Sequence, residues 1–263
     1  MSASTFTRTV LERVLGPVRL RRRLPRDLGG GALTVTARAG GLKYWNPLIE
    51  RIDPSLFRLA RRHVRPGDVV WDIGANVGLF SAAAAGIAGP TGSVLAVEAD
   101  ADVSLLLRQS FGALDPRRCA HVSLVQAAVT GPEAAIVRFR IAKRARAANA
   151  IVGASSTQMG GVVEERLVPG ITLDGLLAST ERAPALVKID VEGHEESVLA
   201  GAKTLLARHR PTLFVEVGSE SADAVGAILR EHGYRMFDGD DAESAPHERP
   251  PFNCLALHPS RGA

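Results

Sequence analysis

The sequence predicts an α/β fold, doubly wound around a mostly parallel sheet. Three observations predict it. Short apolar runs at 68–73, 93–97, 121–125, 186–189 and 213–217 alternate with helical stretches. Acids stand at or near the ends of four of these runs: Asp72, Glu98, Asp190 and Glu216. The first run also passes through a glycine-punctuated turn, Asp72-Ile73-Gly74-Ala75-Asn76-Val77-Gly78, into an alanine-rich helix. In open α/β sheets, ligands bind beyond the carboxyl ends of the strands, where these acids and glycines fall.

Composition bounds the rest. The chain has 263 residues, room for one large domain or a domain with an appendage. Its 46% apolar and 23% charged residues are those of a globular protein with a full core. A net charge of +4 is modest for the length and points to no nucleic-acid partner. Cys119 and Cys254 stand far apart, outside metal-ligand spacing, and read as reduced thiols. No apolar run spans a bilayer. Glu12 and Arg13 interrupt the only N-terminal apolar cluster, so no signal-peptide core is read and the expected location is cytoplasmic.

The elements follow in order. Residues 4–23 carry Phe6, Val10, Val14 and Val18 at helical spacing among arginines, with a kink at Pro17. This basic helix either packs on its own domain with a solvated arginine face or makes a peripheral contact with a membrane surface or partner. Gly29-Gly30-Gly31 is a hinge, and 33–38 with 42–45 read as a hairpin around Ala39-Gly40-Gly41. Residues 1–50 thus form a helix and hairpin extension, and 51–260 the main domain. A helix at 52–64 has Asp53 as N-cap and Pro54 at its first position. Strand 68–73 leads to a helix at 77–87, strand 93–97 to a helix at 101–113, and strand 121–125 follows. An extra strand is read at 135–141. Residues 142–161 lack a period and form either a lid or a plain insertion. A short capped helix at 172–177, strand 186–189, a helix at 195–208, strand 213–217, a helix at 221–232 and strands near 234–237 and 252–258 complete the chain.

The glycine loop is not a dinucleotide fingerprint, which needs G-x-G-x-x-G. Its spacing is D-x-G-x-x-x-G, and Asp72 would repel a pyrophosphate. A ligand with an ammonium and a sulfonium would be attracted instead. S-adenosylmethionine carries both, with a carboxylate suited to a helix N-terminus. Gly74 allows positive φ or close backbone approach, and Gly78 keeps a Cβ out of the first helical turn. Glu98, at the end of the second strand, can accept hydrogen bonds from ribose hydroxyls. The patch Val187-Lys188-Ile189-Asp190-Val191-Glu192-Gly193-His194-Glu195 supplies the proton chemistry. Asp190 or His194 could act as general base, with Glu192 and Glu216 as further candidates. Nearby carboxylates could hold a divalent cation, although the spacing requires no metal. Lys188 reads as a snorkelling lysine at a strand edge.

These residues resemble the FkbM family of S-adenosylmethionine-dependent methyltransferases. Asp72 to Gly78 is similar to its first motif. Ala96-Val97-Glu98-Ala99-Asp100-Ala101 is similar to the second, with Ala99 where the family usually has proline. Thr172-Leu173-Asp174, Leu186 to Glu195, Leu199-Ala200-Gly201-Ala202 and Arg210 to Glu216 resemble the later motifs, so the likeness covers about 66–217. It implies a Rossmann-like class I methyltransferase fold with seven strands, and methylation of a hydroxyl on a small polyketide, sugar or glycolipid-like acceptor. It places Asp72, Gly74, Asn76 and Gly78 at the methionine part of the cofactor and Glu98 at the ribose, with Ala75 and Ala99 as further cofactor-binding residues. The same resemblance implies Ala127 and Ala128 near the adenine, and Asp190 between sulfonium and acceptor. An Asn/Asp-Pro-Pro-aromatic tip, which adenine methylation needs, is absent, as is a Pro-Cys nucleophile for cytosine. Two other classes remain: a non-catalytic scaffold that retains the cofactor fold, and a nicotinamide-dependent dehydrogenase, which the glycine spacing disfavours.

Overall fold

The structure is a computed structural model that describes residues 18–260 apart from 40, 134, 143–148, 152–161 and 242. Strands β3 (Val69–Ile73), β4 (Ser93–Val97), β5 (His121–Val125), β10 (Leu186–Ile189), β11 (Thr212–Glu216), β12 (Arg235–Asp238) and β13 (Asn253–Leu257) form one sheet. Its order is β12-β13-β11-β10-β3-β4-β5. β11, β10, β3, β4 and β5 pair in parallel, and β13 runs antiparallel between β11 and β12. This is the seven-stranded, mostly parallel sheet that the resemblance implies. The order reverses between β3 and β10, and the crevice there opens at the strand tips.

Strand alternation divides the core. Val70 points into a cluster with Phe57, Phe80 and Leu107 from helices α1 (Pro54–His63), α2 (Leu79–Ala88) and α3 (Ala101–Phe111). Trp71 and Ile73 point into the opposite cluster. They meet Leu173, Leu199 and Val225 of α4 (Leu173–Ala178), α5 (Glu195–Ala200) and α6 (Ala222–Glu231). Among the described residues no helix is long and apolar enough to cross a membrane.

Three elements differ from the sequence reading. Residues 33–38 do pair in a hairpin, but with β1 (Arg19–Arg23) upstream rather than with 42–45. β2 (Ala32–Thr36) lies antiparallel to β1, and Leu42–Trp45 is a 3-10 turn. The stretch Arg-Leu-Arg-Arg-Arg hides its period of two, because Arg22 faces inward with its guanidinium on the carbonyls of Tyr44 (2.6 Å) and Trp45 (3.1 Å). Leu33, Val35 and Tyr44 of this extension join the α1–α3 cluster. The N-terminal part of the expected helix and the Gly40 turn lie outside the described residues.

The second difference is a small second sheet. β6 (Ala128–Val129), β7 (Ile136–Ala142), β8 (Ala150–Ile151) and β9 (Val162–Ile171) assemble in the order β6-β9-β7-β8. Only β7 was expected. Its inward side chains Val137, Phe139 and Ile141 pack with Val168, Ala99 and Ala128. Most of the unpatterned stretch 142–161 lies outside the described residues. The third difference is that the helix expected at 195–208 is broken. α5 ends at Ala200, and a separate π-helical turn covers Leu205–His209. The Asp174 carboxylate accepts from the amides of Thr204 (2.8 Å) and Leu205 (2.9 Å) and so starts that new turn.

The two glycines of the loop serve different neighbours. Gly74 has φ +78°, and a Cβ there would lie 1.9 Å from the Asp190 carbonyl oxygen, so glycine lets the tips of β3 and β10 touch. Gly78 has φ +80°, and a Cβ there would meet the side chains of Leu107 and Phe111, which can yield. In urea unfolding, Gly74→Ala is therefore expected to lose on the order of 3 kcal/mol, and Gly78→Ala clearly less. Equal midpoints for Gly74→Ala and wild type would contradict the close approach.

Candidate active site

A cavity of about 200 Å³ opens at the tips of β3, β4, β10 and β11. Its two ends differ in chemistry. At one end Glu98 stands among Ala99, Ala127, Ala128, Phe139 and Asn149. The Glu98 carboxylate is oriented by the amides of Asn76 and Asp100, each at 2.8 Å. Burial pushes its pKa up to about 7 against these hydrogen bonds, with Asp100 and Asp72 adding repulsion. Asn76 lines the same cavity, and its side-chain oxygen is buried without a hydrogen-bond partner among the described residues. A bound polyol or ammonium would satisfy it.

The other end gathers Asp53, Asp190, Glu192 and Glu216 with Lys43, Tyr44 and Lys188. Sheet register builds its floor. Lys188 sits directly beside Asp72 across the β10–β3 pair, and Asp190, two residues on, projects to the same side. The Lys188 ammonium lies 3.4 Å from Asp72 Oδ1 and 3.2 Å from Asp190 Oδ2, and donates to the Gly74 carbonyl at 3.3 Å. Burial opposes its charge, but the attraction of Asp190, Asp72 and Glu216 outweighs that, and the lysine is held protonated. Asp72 Oδ2 accepts from the amide (3.1 Å) and hydroxyl (2.6 Å) of Ser81, which ties β3 to the first turn of α2.

Glu192 adopts φ +53° at the tip after β10. Burial raises its pKa to about 8, helped by repulsion from Asp190 and Glu216. Glu216 is shifted upward for the same reasons, burial first and Asp190 next. His194 does not line the cavity. Its Nε2 lies 3.1 Å from the Thr130 hydroxyl, and burial lowers its pKa. Neither Asp72 nor Gly78 faces the cavity either: Asp72 is fully buried beneath the loop. Gly74, Ala75, Asn76, Glu98, Ala99, Ala127, Ala128, Asp190, Glu192 and Glu216 all line it. Sequence reasoning missed Lys188 as the centre of the charge array, although its place two residues before the acid at a strand tip was a usable signal. Tyr44, Asp53, Phe139 and Asn149 were also missed as lining residues. Among the described residues there is no cluster of three or more His, Cys, Asp or Glu side chains that could hold a metal ion.

The Methyltransferase FkbM domain matches residues 72–236, more than half the chain. The chain belongs to the FkbM methyltransferase family. The match begins at Asp72 and takes in the glycine loop, Glu98 and the 188–195 patch, so the family sequence builds most of the cavity. Lys43, Tyr44 and Asp53 lie upstream of it. No curated protein matches the chain. Solved structures similar to it include a precorrin-6y C5,15-methyltransferase from Geobacter metallireducens GS-15. That protein has 17% identity and a TM-score of 0.43, with 80% of this chain and 88% of that one covered. A methyltransferase FkbM from Methylobacillus flagellatus KT has 16% identity and a TM-score of 0.44, with 81% and 60% covered. A SAM-dependent O-methyltransferase from Thermotoga maritima has 14% identity and a TM-score of 0.41, with 78% and 64% covered.

Two outcomes are expected from this geometry. Lys188→Met leaves Asp72 buried and unpaired, and should lower stability by about 3–5 kcal/mol. Adding Asp72→Asn should recover part of that loss in the same denaturant titration, and no recovery would mean that the lysine is not the partner of Asp72. Glu192 takes up its proton at higher pH in the folded chain than its ordinary value of 4.5. Between pH ~4.5 and ~8 the folded protein therefore holds a proton that the unfolded chain has released, and stability falls as pH rises through that window. Thermal midpoints recorded from pH 5 to 9 should fall less steeply in Glu192→Gln than in wild type.

Proposed function

We propose that the protein is an S-adenosylmethionine-dependent O-methyltransferase acting on a neutral hydroxyl of a small polyketide, sugar or glycolipid-like acceptor. The observation that carries the reading is the polarity of the cavity: an oriented, buried carboxylate at one end and four carboxyl groups at the other. Glu98 suits a vicinal diol, since each of its oxygens is fixed by one amide and keeps a lone pair for a hydroxyl. Ala99, Ala127, Ala128 and Phe139 form an apolar slot beside it for a planar base. The buried, unpartnered Asn76 oxygen and the close approach at Gly74 fit the same ligand.

When bound, S-adenosylmethionine supplies an electrophilic methyl group on a sulfonium. The chain's own residues must align the acceptor and manage charge and proton. A neutral hydroxyl gains positive charge at oxygen as its C–O bond forms, and its proton must leave. Asp190, Glu192 and Glu216 face that charge, which favours a neutral nucleophile over an anionic one. Asp190 is the group we assign as base, because Lys188 fixes its orientation at 3.2 Å. Burial raises the pKa values of Glu192 and Glu216, so both are poised to hold or release a proton beside it. His194, turned toward Thr130, has the weaker claim to contact the acceptor.

Calorimetric titration tests the cofactor. S-adenosylmethionine and S-adenosylhomocysteine should bind and NAD should not, and Glu98→Gln should weaken both by at least about 10-fold. Asp190→Asn should keep cofactor affinity yet lower turnover of an accepted hydroxyl substrate by about 10²–10⁴-fold. Binding of NAD in place of the sulfonium cofactor would sink the proposal, as would an Asp190→Asn protein with full turnover.

A further inference from the structure

Accounting for hydrogen bonds at the loop leaves one question: which group would receive the cofactor's carboxylate? This question rests on the cofactor reading above. The helix N-terminus after Gly78 was the expected place, but four amides of the loop already donate within the chain. Gly74 and Ala75 both donate to the Val97 carbonyl at 3.0 Å, Asn76 donates to Glu98, and Gly78 donates to the Ala75 carbonyl at 2.8 Å. Lys188 is also engaged, by Asp72, Asp190 and the Gly74 carbonyl. An anionic group placed beside Asp53 and Asp190 would meet repulsion unless a further donor faces it.

Such a donor is present. Tyr44 is 3% exposed and lines the cavity, and its hydroxyl has no hydrogen-bond partner among the described residues. A hydroxyl that opens into the cavity with no partner among the described residues is available to donate to a ligand. Burial first, and then Asp53, raise its pKa above the ordinary phenol value, so it remains a neutral donor. The Lys43 ammonium lies 5.6 Å from the Tyr44 ring centroid and lines the same end of the cavity. Arg22 of β1 holds the Tyr44 and Trp45 carbonyls, so the N-terminal hairpin sets the position of the ring. All of these residues lie upstream of the matched family domain.

We propose that the Tyr44 hydroxyl, with the Lys43 ammonium beside it, is the binding site for the carboxylate of the cofactor's methionine moiety. The N-terminal extension thereby completes a cofactor site that the family domain leaves open at one end. Hydrogen bonds to a charged group are worth enough to shift affinity about 10-fold or more.

The test compares S-adenosylmethionine with decarboxylated S-adenosylmethionine, which keeps the sulfonium and the ammonium but lacks the carboxylate. Calorimetric affinities are measured for wild type, Tyr44→Phe and Lys43→Met. Wild type should prefer the carboxylated ligand by about 10-fold or more. Tyr44→Phe, which keeps the ring and its packing, should bring the two ligands toward parity by weakening only the carboxylated one. Lys43→Met, at an exposed side chain, should reduce the preference in the same direction without affecting folding. An undiminished preference in Tyr44→Phe would overturn the proposal, and so would an equal weakening of both ligands. A wild type that binds neither ligand would overturn the cofactor reading itself, a different result from tight binding of both ligands without preference.

Discussion

The cavity depends on one buried cation. Lys188 stands between Asp72 and Asp190 at the tips of two adjacent parallel strands, and its ammonium also reaches the carbonyl of Gly74 in the loop. Removing any of these charges from water is costly, so the array is stable only while all its members are present. Its geometry follows from register. A parallel β10–β3 pair sets Lys188 level with Asp72, and the period of two brings Asp190 to the same face. A shift of one residue would turn Lys188 into the apolar layer around Trp71 and Leu199. Asp72 passes the constraint on to α2 through Ser81, and Gly74 lets the loop rest on Asp190. The loop, the helix and the assigned base are thus fixed relative to one another by a single ion array.

Around that array the molecule keeps charge and apolar surface apart. The β6–β9 sheet covers the Glu98 end with Phe139 and neighbouring small residues, while the extension covers the acidic end with Tyr44, beside Asp53 at the start of α1. The two covers are anchored differently. Asn149 and Arg166 of the small sheet bind Asp100, the N-cap of α3, whose amide holds Glu98. The extension is held by Arg22, and by Ser110 of α3, whose hydroxyl accepts from the Thr34 amide at 2.8 Å. α3 therefore links both covers to the strand tips.

Much of the fold was legible in the sequence because buried parallel strands are written as uninterrupted apolar runs. All seven strands of the main sheet fall within a residue or two of their expected places. The acids at strand tips and the D-x-G-x-x-x-G loop marked the cavity for the same reason: position in a parallel sheet decides which residues face the crevice. What escaped was decided by tertiary contacts. The strand Arg19–Arg23 looked helical because its inward arginine binds carbonyls found only in the folded chain. The break after Ala200 depends on Asp174, 26 residues upstream, capping a new turn. Lys188 lies inside a motif whose acids drew the attention and Tyr44 lies in none, and the importance of both comes from neighbours brought in from β3 and the extension. His194 and Asp72 illustrate the converse. Both stand in dense patches of chemistry, yet one turns to Thr130 and the other is sealed under the loop.

A crystal structure of the protein with S-adenosylhomocysteine bound would test the account most directly. The account predicts the ribose hydroxyls on Glu98, the adenine against Ala127 and Ala128, and the sulfur facing Asp190 with the Lys188 array unchanged. A ligand bound with its sulfur away from Asp190, or outside this cavity, would contradict it.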